Sequence, residues 1–359
     1  MVNLKEVQLQ TGAVFSDSDL TPTAFPWDSL VLSEIKNGTM ICDRSDWGLL
    51  EVKGNDRLRF LHNQSTNDFN RLQPGQGCDT VFVTSTARTL DLVTAYVQQD
   101  RVLLLTSPSR TEKLSEWMDR YLFPMDKVEI NDLSSNYAIF TLIGPQSQEL
   151  LSQWVSQKLL TLPEYRNQTV EILGVELILG VGSGLALPGF NLLIPLDKAG
   201  NLWYELTNPT SPHKAIPIGS NAWETLRILQ GRPKPDAELT EDYNPLEVGL
   251  WQTISFNKGC YIGQETIARL NTYKGVKQRL LGIKFNTNNL VKTGDIITKD
   301  GEKIGVITSY IDTESGGFAL GYIRTKSGGV GLNIEVENTK GEVVELPFIR
   351  HEYYQGNNE

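Results

Sequence analysis

Cysteine is scarce in this sequence. Only Cys42, Cys78 and Cys260 occur in 359 residues, with no CxxC pair and an odd count. That excludes a disulfide framework and points to a reducing compartment, expected to be the cytoplasm. Histidine is equally rare, at His62, His213 and His351, and no H-x-x-x-H or Cys/His cluster occurs. A standard zinc site therefore has no ligand set, and no metal site is expected. Three scattered cysteines also fall short of the four ligands of a resident iron–sulfur cluster. Positive charge is outweighed: 33 Lys and Arg face 43 Asp and Glu, for a formal net charge of −10. As a whole such a chain repels nucleic acid and anionic membranes, while a local basic pocket stays compatible with it. Long apolar runs are missing too. The most apolar stretch, 175–196, is broken by Glu176, Pro188, Asn191 and repeated glycines. It reads as short strands joined by turns, not as a membrane span. The first residues, MVNLKEVQLQTGAVFSDSD, have neither a basic n-region nor an apolar h-region, and no secretory signal is expected.

What remains is an ordinary globular composition, 40% hydrophobic and 21% charged, on a length that suggests two or three domains. Residues 1–40 are polar and weakly patterned. From Trp47, WGLLEVKGNDRLRFLHNQSTND predicts a strand through Leu49, Leu50 and Val52, a break at Gly54-Asn55-Asp56, and a short helix carrying Leu58, Phe60 and Leu61. A weak echo begins at Tyr137, YAIFTLIGPQSQELLSQWV, with its break at Gly144-Pro145. Between them, 79–107 alternates as an antiparallel meander, and 110–123 spaces Leu114, Trp117, Met118, Tyr121 and Leu122 as a helix. A further helix is expected over 220–233, stopped by Gly231 and Pro233. After about 275 the texture becomes short strands at regular turn spacing, with hairpins at Lys299-Asp300-Gly301 and Thr339-Lys340-Gly341. The tail QGNNE, 355–359, is expected to be disordered.

The stretch NKGCYIGQE, 257–265, concentrates the chemistry. Gly259 and Gly263 bracket Cys260, and both permit positive φ or close approach of another group. A helix is expected after them, with Glu265 in its first turn and Ile267 and Leu270 on one face. A helix N-terminus and the nearby Lys258 would each lower a thiol pKa. Three readings of Cys260 stand together: a small buried hydrophobe in a tight turn, a reactive thiol, or a nucleophile paired with one of the three histidines. Spacing selects none of the histidines.

KGCYIGQE, Lys258 to Glu265, resembles the signature of the YgfZ family of folate-binding proteins, within the superfamily of the glycine-cleavage T-protein, an aminomethyltransferase. Further segments share the resemblance: FLHNQSTND (60–68), AWETLRILQGRP (222–233), NPLEVGLWQTISFNKG (244–259) and GVITSY…ALGYI (305–323). It implies an α+β three-domain cloverleaf ring with a C-terminal β-barrel and tetrahydrofolate, or a one-carbon derivative, in a central channel. The expected domains are a discontinuous folate-binding body (1–46 and 137–274), an inserted α+β domain (47–136) and the barrel (275–359). It also implies a role in assembly or repair of iron–sulfur proteins, including tRNA-modifying enzymes. Those proteins would be its clients, with no direct nucleic-acid or membrane partner, and the chain is expected to be a monomer. An aminomethyltransferase and a folate-dependent demethylase or thiol enzyme are the alternatives.

A reduced folate needs polar edges for its pterin, apolar walls for its aromatic spacer and cations or N–H groups for its glutamate tail. By the resemblance, Arg227 of the Thr-Leu-Arg helix is the folate-facing cation, against the plain alternative of a salt bridge. Trp223, four residues earlier, is placed to face the same way or to lie in the core. Asn191 of GFNLLIP stands where the T-protein carries the glutamate that grips the pterin. Asp91 of TARTLDL stands at the T-protein's catalytic aspartate, but without the second Asp of its pair. Asn67, Lys258 and Tyr261 complete the expected cofactor-binding set. For Asn67 and Asp68 the alternative is an Asx turn or cap. Cys260 and Asp91 are the expected catalytic residues.

Overall fold

Two sheets share the residues between 40 and 218, and a barrel takes those after 278. The computed structural model describes residues 3–17, 19–208, 210–211, 213–288 and 291–355, so of the tail expected to be disordered only Gln355 lies within the described residues. The chain forms two compact units. One comprises 1–60, 69–79 and 93–226, and the other 61–68, 80–92 and 227–359.

In the first unit, a six-stranded sheet runs in the order Ile216–Ile218, Met40–Asp43, Tyr137–Ile143, Gly189–Pro195, Val175–Val181, Asn167–Ile172. All its pairs are antiparallel except the first, which is parallel. Its middle strands are apolar at nearly every position because both faces are covered. In Tyr137–Ile143, Ala138, Phe140 and Leu142 pack with Leu202, Trp203 and Leu206 of helix Leu196–Thr207. Ile139 and Ile143 point the other way, to a core shared with Tyr96, Leu103 and Leu105. The period-2 alternation of a strand assigns each residue to its core.

The second sheet has the order Gly77–Val83, Thr89–Val97, Arg101–Thr106, Gly48–Lys53, Glu129–Asp132. Its first three strands are the meander expected over 79–107, and the chain passes from one unit to the other within the first two of them. The two strand–loop–helix echoes enter different sheets: Gly48–Lys53 leads to helix Arg57–Gln64, and Tyr137–Ile143 to helix Ser147–Leu151. The weakly patterned start holds a helix, Leu4–Gln10, capped by the Asn3 side chain.

In the second unit, a closed barrel runs Gln278–Phe285, Gly316–Arg324, Glu302–Thr313, Ile296–Lys299, Asn333–Val336, Thr339–Val344 and back to the first strand. The first hairpin turns at Asp300-Gly301, both left-handed at φ 52° and 80°. The second does not turn at Thr339-Lys340-Gly341. It turns at Glu337-Asn338, φ 46° and 70°, with Val336 paired to Thr339. A two-residue turn needs two left-handed residues, and asparagine tolerates that conformation. Gly341 lies instead within a strand, where a Cβ would come 2.8 Å from the Phe285 ring. Among the described residues, no helix is long and apolar enough to cross a membrane.

His351 ties the chain end to this unit. Its Nε2–H donates to Leu280 O at 2.8 Å, and its ring packs edge-on to Trp251. Burial holds its pKa down to about 4, from an ordinary value of 6.5. The unfolded chain therefore takes up a proton, through the window between those values, that the folded imidazole refuses. The unfolding free energy should fall as pH drops from about 6.5 towards about 4, by at most about 3 kcal/mol from this group. His351→Gln, which keeps a donor for Leu280 O, should flatten that slope. Urea midpoints measured between pH 4 and 7 for both proteins check the difference.

Candidate functional site

The signature loop is built onto the end of a helix. Helix Arg57–Gln64 leaves its last carbonyls without intrahelical partners and carries the negative end of its dipole there. Lys258 supplies the missing donors. Lys258, 8% exposed, donates from its ammonium to the helix carbonyl of His62 and, just past the helix end, to those of Ser65 (2.7 Å) and Asn67 (2.6 Å). An ammonium has three hydrogens, and these three acceptors take them all. Ile262 N–H donates to Asn63 O, Ser255 N–H to Thr66 O, and Thr66 Oγ1–H to Thr253 O, at 3.0, 3.0 and 2.8 Å. FLHNQSTND and NKGCYIGQE thus form one interlocked structure. Gly263 closes it at φ +81°, where a Cβ would meet Thr84 O at 2.9 Å. Helix Gln264–Thr272 follows, burying Ile267.

This placement corrects two expectations. Lys258 does not turn its ammonium towards a cofactor, because its donors are spent on backbone carbonyls. Tyr261 is not an open binding group: its ring packs in an apolar cluster, with the Lys258 ammonium 4.6 Å from its centroid, and burial pushes its phenol pKa up. For Cys260 the buried-hydrophobe reading fails, since the residue is exposed while Cys42 and Cys78 are buried. Asn67 is tied into the loop: its Oδ1 accepts Asp68 N–H at 2.8 Å, and its own N–H donates to Thr80 Oγ1 at 3.0 Å. Beside them sits a pair that spacing did not reveal. His62 Nδ1 lies 3.0 Å from Asp68 Oδ1, and both side chains are largely buried.

Arg227 also departs from expectation. Its guanidinium, 3% exposed, makes a 3.0 Å ion pair with fully buried Glu238 and donates to Arg232 O and Ser309 Oγ. Glu238 in turn accepts from Ser309 Oγ at 2.6 Å and Thr308 Oγ1 at 2.8 Å. A planar fork held by a carboxylate, a carbonyl and a hydroxyl organises the second unit. It is not presented to a ligand. Asp91 is fully buried in strand Thr89–Val97, where its Oδ1 accepts Leu92 N–H at 2.9 Å.

Asn191 lies in the first unit, within a polar array walled by aromatics. It sits opposite Thr141 across the antiparallel pair and opposite Gly180 on its other side. Thr141 Oγ1–H donates to Asn191 Oδ1 at 2.7 Å, and Asn191 Nδ2–H donates to Tyr96 OH at 3.0 Å. An amide has two donors and two acceptor sites, so one N–H and one lone pair stay uncommitted among the described residues. Tyr96 reaches this place only because residue 180 is glycine: a Cβ there would stand 2.5 Å from the Tyr96 ring. Arg44 Nη1–H donates to Thr141 Oγ1 at 3.2 Å. The guanidinium lies between the rings of Trp47 and Trp223, 3.6 and 4.0 Å from their centroids. Trp223 therefore belongs with Asn191 through Arg44 and Thr141. Arg44, Tyr96 and Thr141 were missed in the sequence because each sits in a different segment with no motif of its own. Two clefts on this unit, of about 440 and 630 Å³, are lined by Trp27, Met40 and Ile218 and by Lys5, Asp43 and Tyr137.

An α+β chain with two sheets and a closed C-terminal barrel is a class that known proteins share. Residues 5–258 match the model of the GCVT N-terminal domain. A putative chloroplastic transferase of Arabidopsis thaliana is 41% identical over 98% of this chain and 80% of its own. An aminomethyltransferase of Halothermothrix orenii is 30% identical over 88% of this chain and 89% of its own. The crystal structure of glycine cleavage system aminomethyltransferase T from Bartonella henselae superimposes with a TM-score of 0.83 at 20% identity, covering 98% of both chains. The chain belongs to the GCVT N-terminal domain family and has the fold of the glycine-cleavage T protein.

Two stability effects follow from this geometry. Lys258→Met keeps the length of the stem and leaves three carbonyls without their donor. It should lower the unfolding free energy by about 2–4 kcal/mol in urea titrations. Gly180→Ala should cost about 1–3 kcal/mol through the displaced Tyr96 ring, and Tyr96→Phe in that background should not restore the loss.

Proposed function

We propose that the chain binds tetrahydrofolate or a one-carbon derivative and acts in folate-dependent one-carbon transfer of the aminomethyltransferase type. The observation that carries this reading is the Asn191 amide. Thr141 and Tyr96 fix it, and it keeps one donor and one acceptor at the strand position that the resemblance matches to the T-protein's pterin-gripping glutamate. An amide edge with both polarities complements the paired groups of a pterin, and the neighbouring Trp47 and Trp223 supply aromatic surface. The relatives named as aminomethyltransferases support the same reading. Asp91 is the proposed acid–base residue and Arg227 is withdrawn from the ligand set.

A finer reading rests on the exposed Cys260 in KGCYIGQE: a YgfZ-type protein that supports assembly or repair of iron–sulfur proteins, tRNA-modifying enzymes among them. It needs a compartment that keeps the thiol reduced, and the chloroplastic relative leaves the cytoplasm as one choice among such compartments.

Calorimetric titration with tetrahydrofolate tests the first reading. Wild type should bind, and Asn191→Ala should weaken binding by about 1–3 kcal/mol through the two lost hydrogen bonds. Asp91→Asn should keep binding and lose aminomethyl transfer. A wild-type chain that binds no reduced folate would sink the proposal. For the finer reading, Cys260→Ser should retain folate binding and fail to restore iron–sulfur enzyme activities in cells lacking the native chain. Full restoration would remove it.

A further inference from the structure

Asp43 is a buried carboxylate without a cation. It ends strand Met40–Asp43 and is 3% exposed. Its hydrogen bonds come from neutral groups: Gln8 Nε2–H donates to Oδ2 at 2.7 Å, and Ser45 N–H and Oγ–H donate to Oδ1 at 3.0 and 2.6 Å. Among the described residues no cation pairs with it. Lys5 lies instead over the Phe15 ring at 4.6 Å, Lys198 pairs with Asp197 at 3.1 Å, and the Arg44 guanidinium lies between Trp47 and Trp223. Burial raises the Asp43 pKa against the pull of the Ser45 and Gln8 hydrogen bonds. A buried charge without a counter-charge costs folding free energy, and a bound cation would recover it.

A second acceptor sits beside it. Gln8 is 1% exposed. Because a carboxylate only accepts, the contact with Asp43 fixes the Gln8 amide with its NH2 group towards Oδ2. Its Oε1 has no hydrogen-bond partner among the described residues. Of the four lone-pair sites of Asp43 three are taken, which leaves one on Oδ2. Both residues line the cleft of about 630 Å³ whose walls include Leu4, Leu20, Leu196 and Tyr137. Leu20 is 79% and Leu196 47% exposed. Open apolar walls around a few buried acceptors are the composition of a small-molecule site. The cleft is on the opposite face of the six-stranded sheet from the Asn191 array. Strand alternation puts Asp43 on the side of Ile41, which packs with the helices, whereas Asn191 reaches Tyr96 of the second sheet.

We infer that this cleft binds a small organic amine, with its ammonium on Asp43 Oδ2 and Gln8 Oε1 and its apolar body against Leu4, Leu20, Leu196 and Tyr137. An ammonium brings both the missing charge and the donors that two neighbouring acceptors require. A neutral alcohol would leave the charge uncompensated, and a carboxylate would meet it with like charge. A metal ion fits less well. Two available oxygens fall short of the six or more that a hard cation gathers, and among the described residues no group of three or more His, Cys, Asp or Glu is placed to hold a metal.

The test titrates the intact chain, by calorimetry at neutral pH, with three probes of like shape: 2-phenylethylamine, 2-phenylethanol and phenylacetate. The amine should bind saturably, and about tenfold or more tightly than the alcohol or the acid. Asp43→Asn keeps an acceptor for Ser45, and should weaken the amine about tenfold while leaving the alcohol unchanged. Leu196→Arg sets a cation at the exposed rim and should weaken the amine alone. The inference is overturned by an amine that does not saturate, by equal binding of amine and alcohol, or by an affinity that neither variant moves. If Asp43→Asn fails to fold, the three probes and Leu196→Arg decide. Saturating amine should leave tetrahydrofolate binding by the wild type unchanged. Competition between the two would place the amine in the folate site and also overturn the inference, whereas a chain that binds the amine and no reduced folate would keep this site and sink the folate reading.

Discussion

The Lys258 ammonium at the end of helix Arg57–Gln64 is the interaction on which the signature region depends. A helix ends with carbonyls that have lost their partners, and burying them without donors costs free energy at each one. One flexible side chain answers the His62 carbonyl of that helix and the Ser65 and Asn67 carbonyls just beyond it, and Ile262 N–H answers the helix carbonyl of Asn63. Those contacts fix where Gly259, Cys260 and Tyr261 lie relative to His62. Lysine fits where arginine would not, because a compact ammonium directs three hydrogens to three carbonyls while a planar fork matches carboxylates. Arginine takes that second task elsewhere, in the buried pair of Arg227 with Glu238. A charge so deeply placed leaves little stability to spare if either partner is lost, which is why Ser309, Thr308 and the Arg232 carbonyl crowd around it.

The first unit rests on a different economy. Its polar array is buried between two sheets, and every member is oriented by the next: Arg44 by two indole rings, Thr141 by Arg44, Asn191 by Thr141 and Tyr96. A glycine makes the array possible by leaving room for a phenol. Such a network specifies one arrangement of side chains, and the uncommitted amide atoms of Asn191 are then held at fixed positions ready for a planar partner.

Much of the fold was legible because hydrophobic periodicity is local. The meander after Gly77, the helix ending at Gln230 before Gly231, and the barrel after 278 follow from alternation, helical spacing and turn residues. The hairpin at Glu337-Asn338 was misplaced because glycine drew the eye to Gly341. That glycine answers to the Phe285 ring, a contact made across the barrel and invisible along the chain. The candidate site was legible only in its motifs. KGCYIGQE and FLHNQSTND both stood out, but no spacing showed that one caps the other.

The sequence by itself determined the class of fold, the wider T-protein superfamily, the scarcity of cysteine and the position of the one conspicuous cysteine, since all of these depend on composition and on order along the chain. Tertiary structure decided what the polar residues do. Lys258, Arg227 and Asn67, which the resemblance offered as ligand-facing groups, became partners of backbone carbonyls, a carboxylate and a loop amide. His62 and Asp68, which no spacing linked in the sequence, became an oriented pair. The physical reason is that a charged or polar side chain has no local preference strong enough to reveal its partner. Its role is set by whichever group the fold brings within hydrogen-bond reach, and residues separated by nearly two hundred positions, as Lys258 and His62 are, meet only once the chain has closed around them.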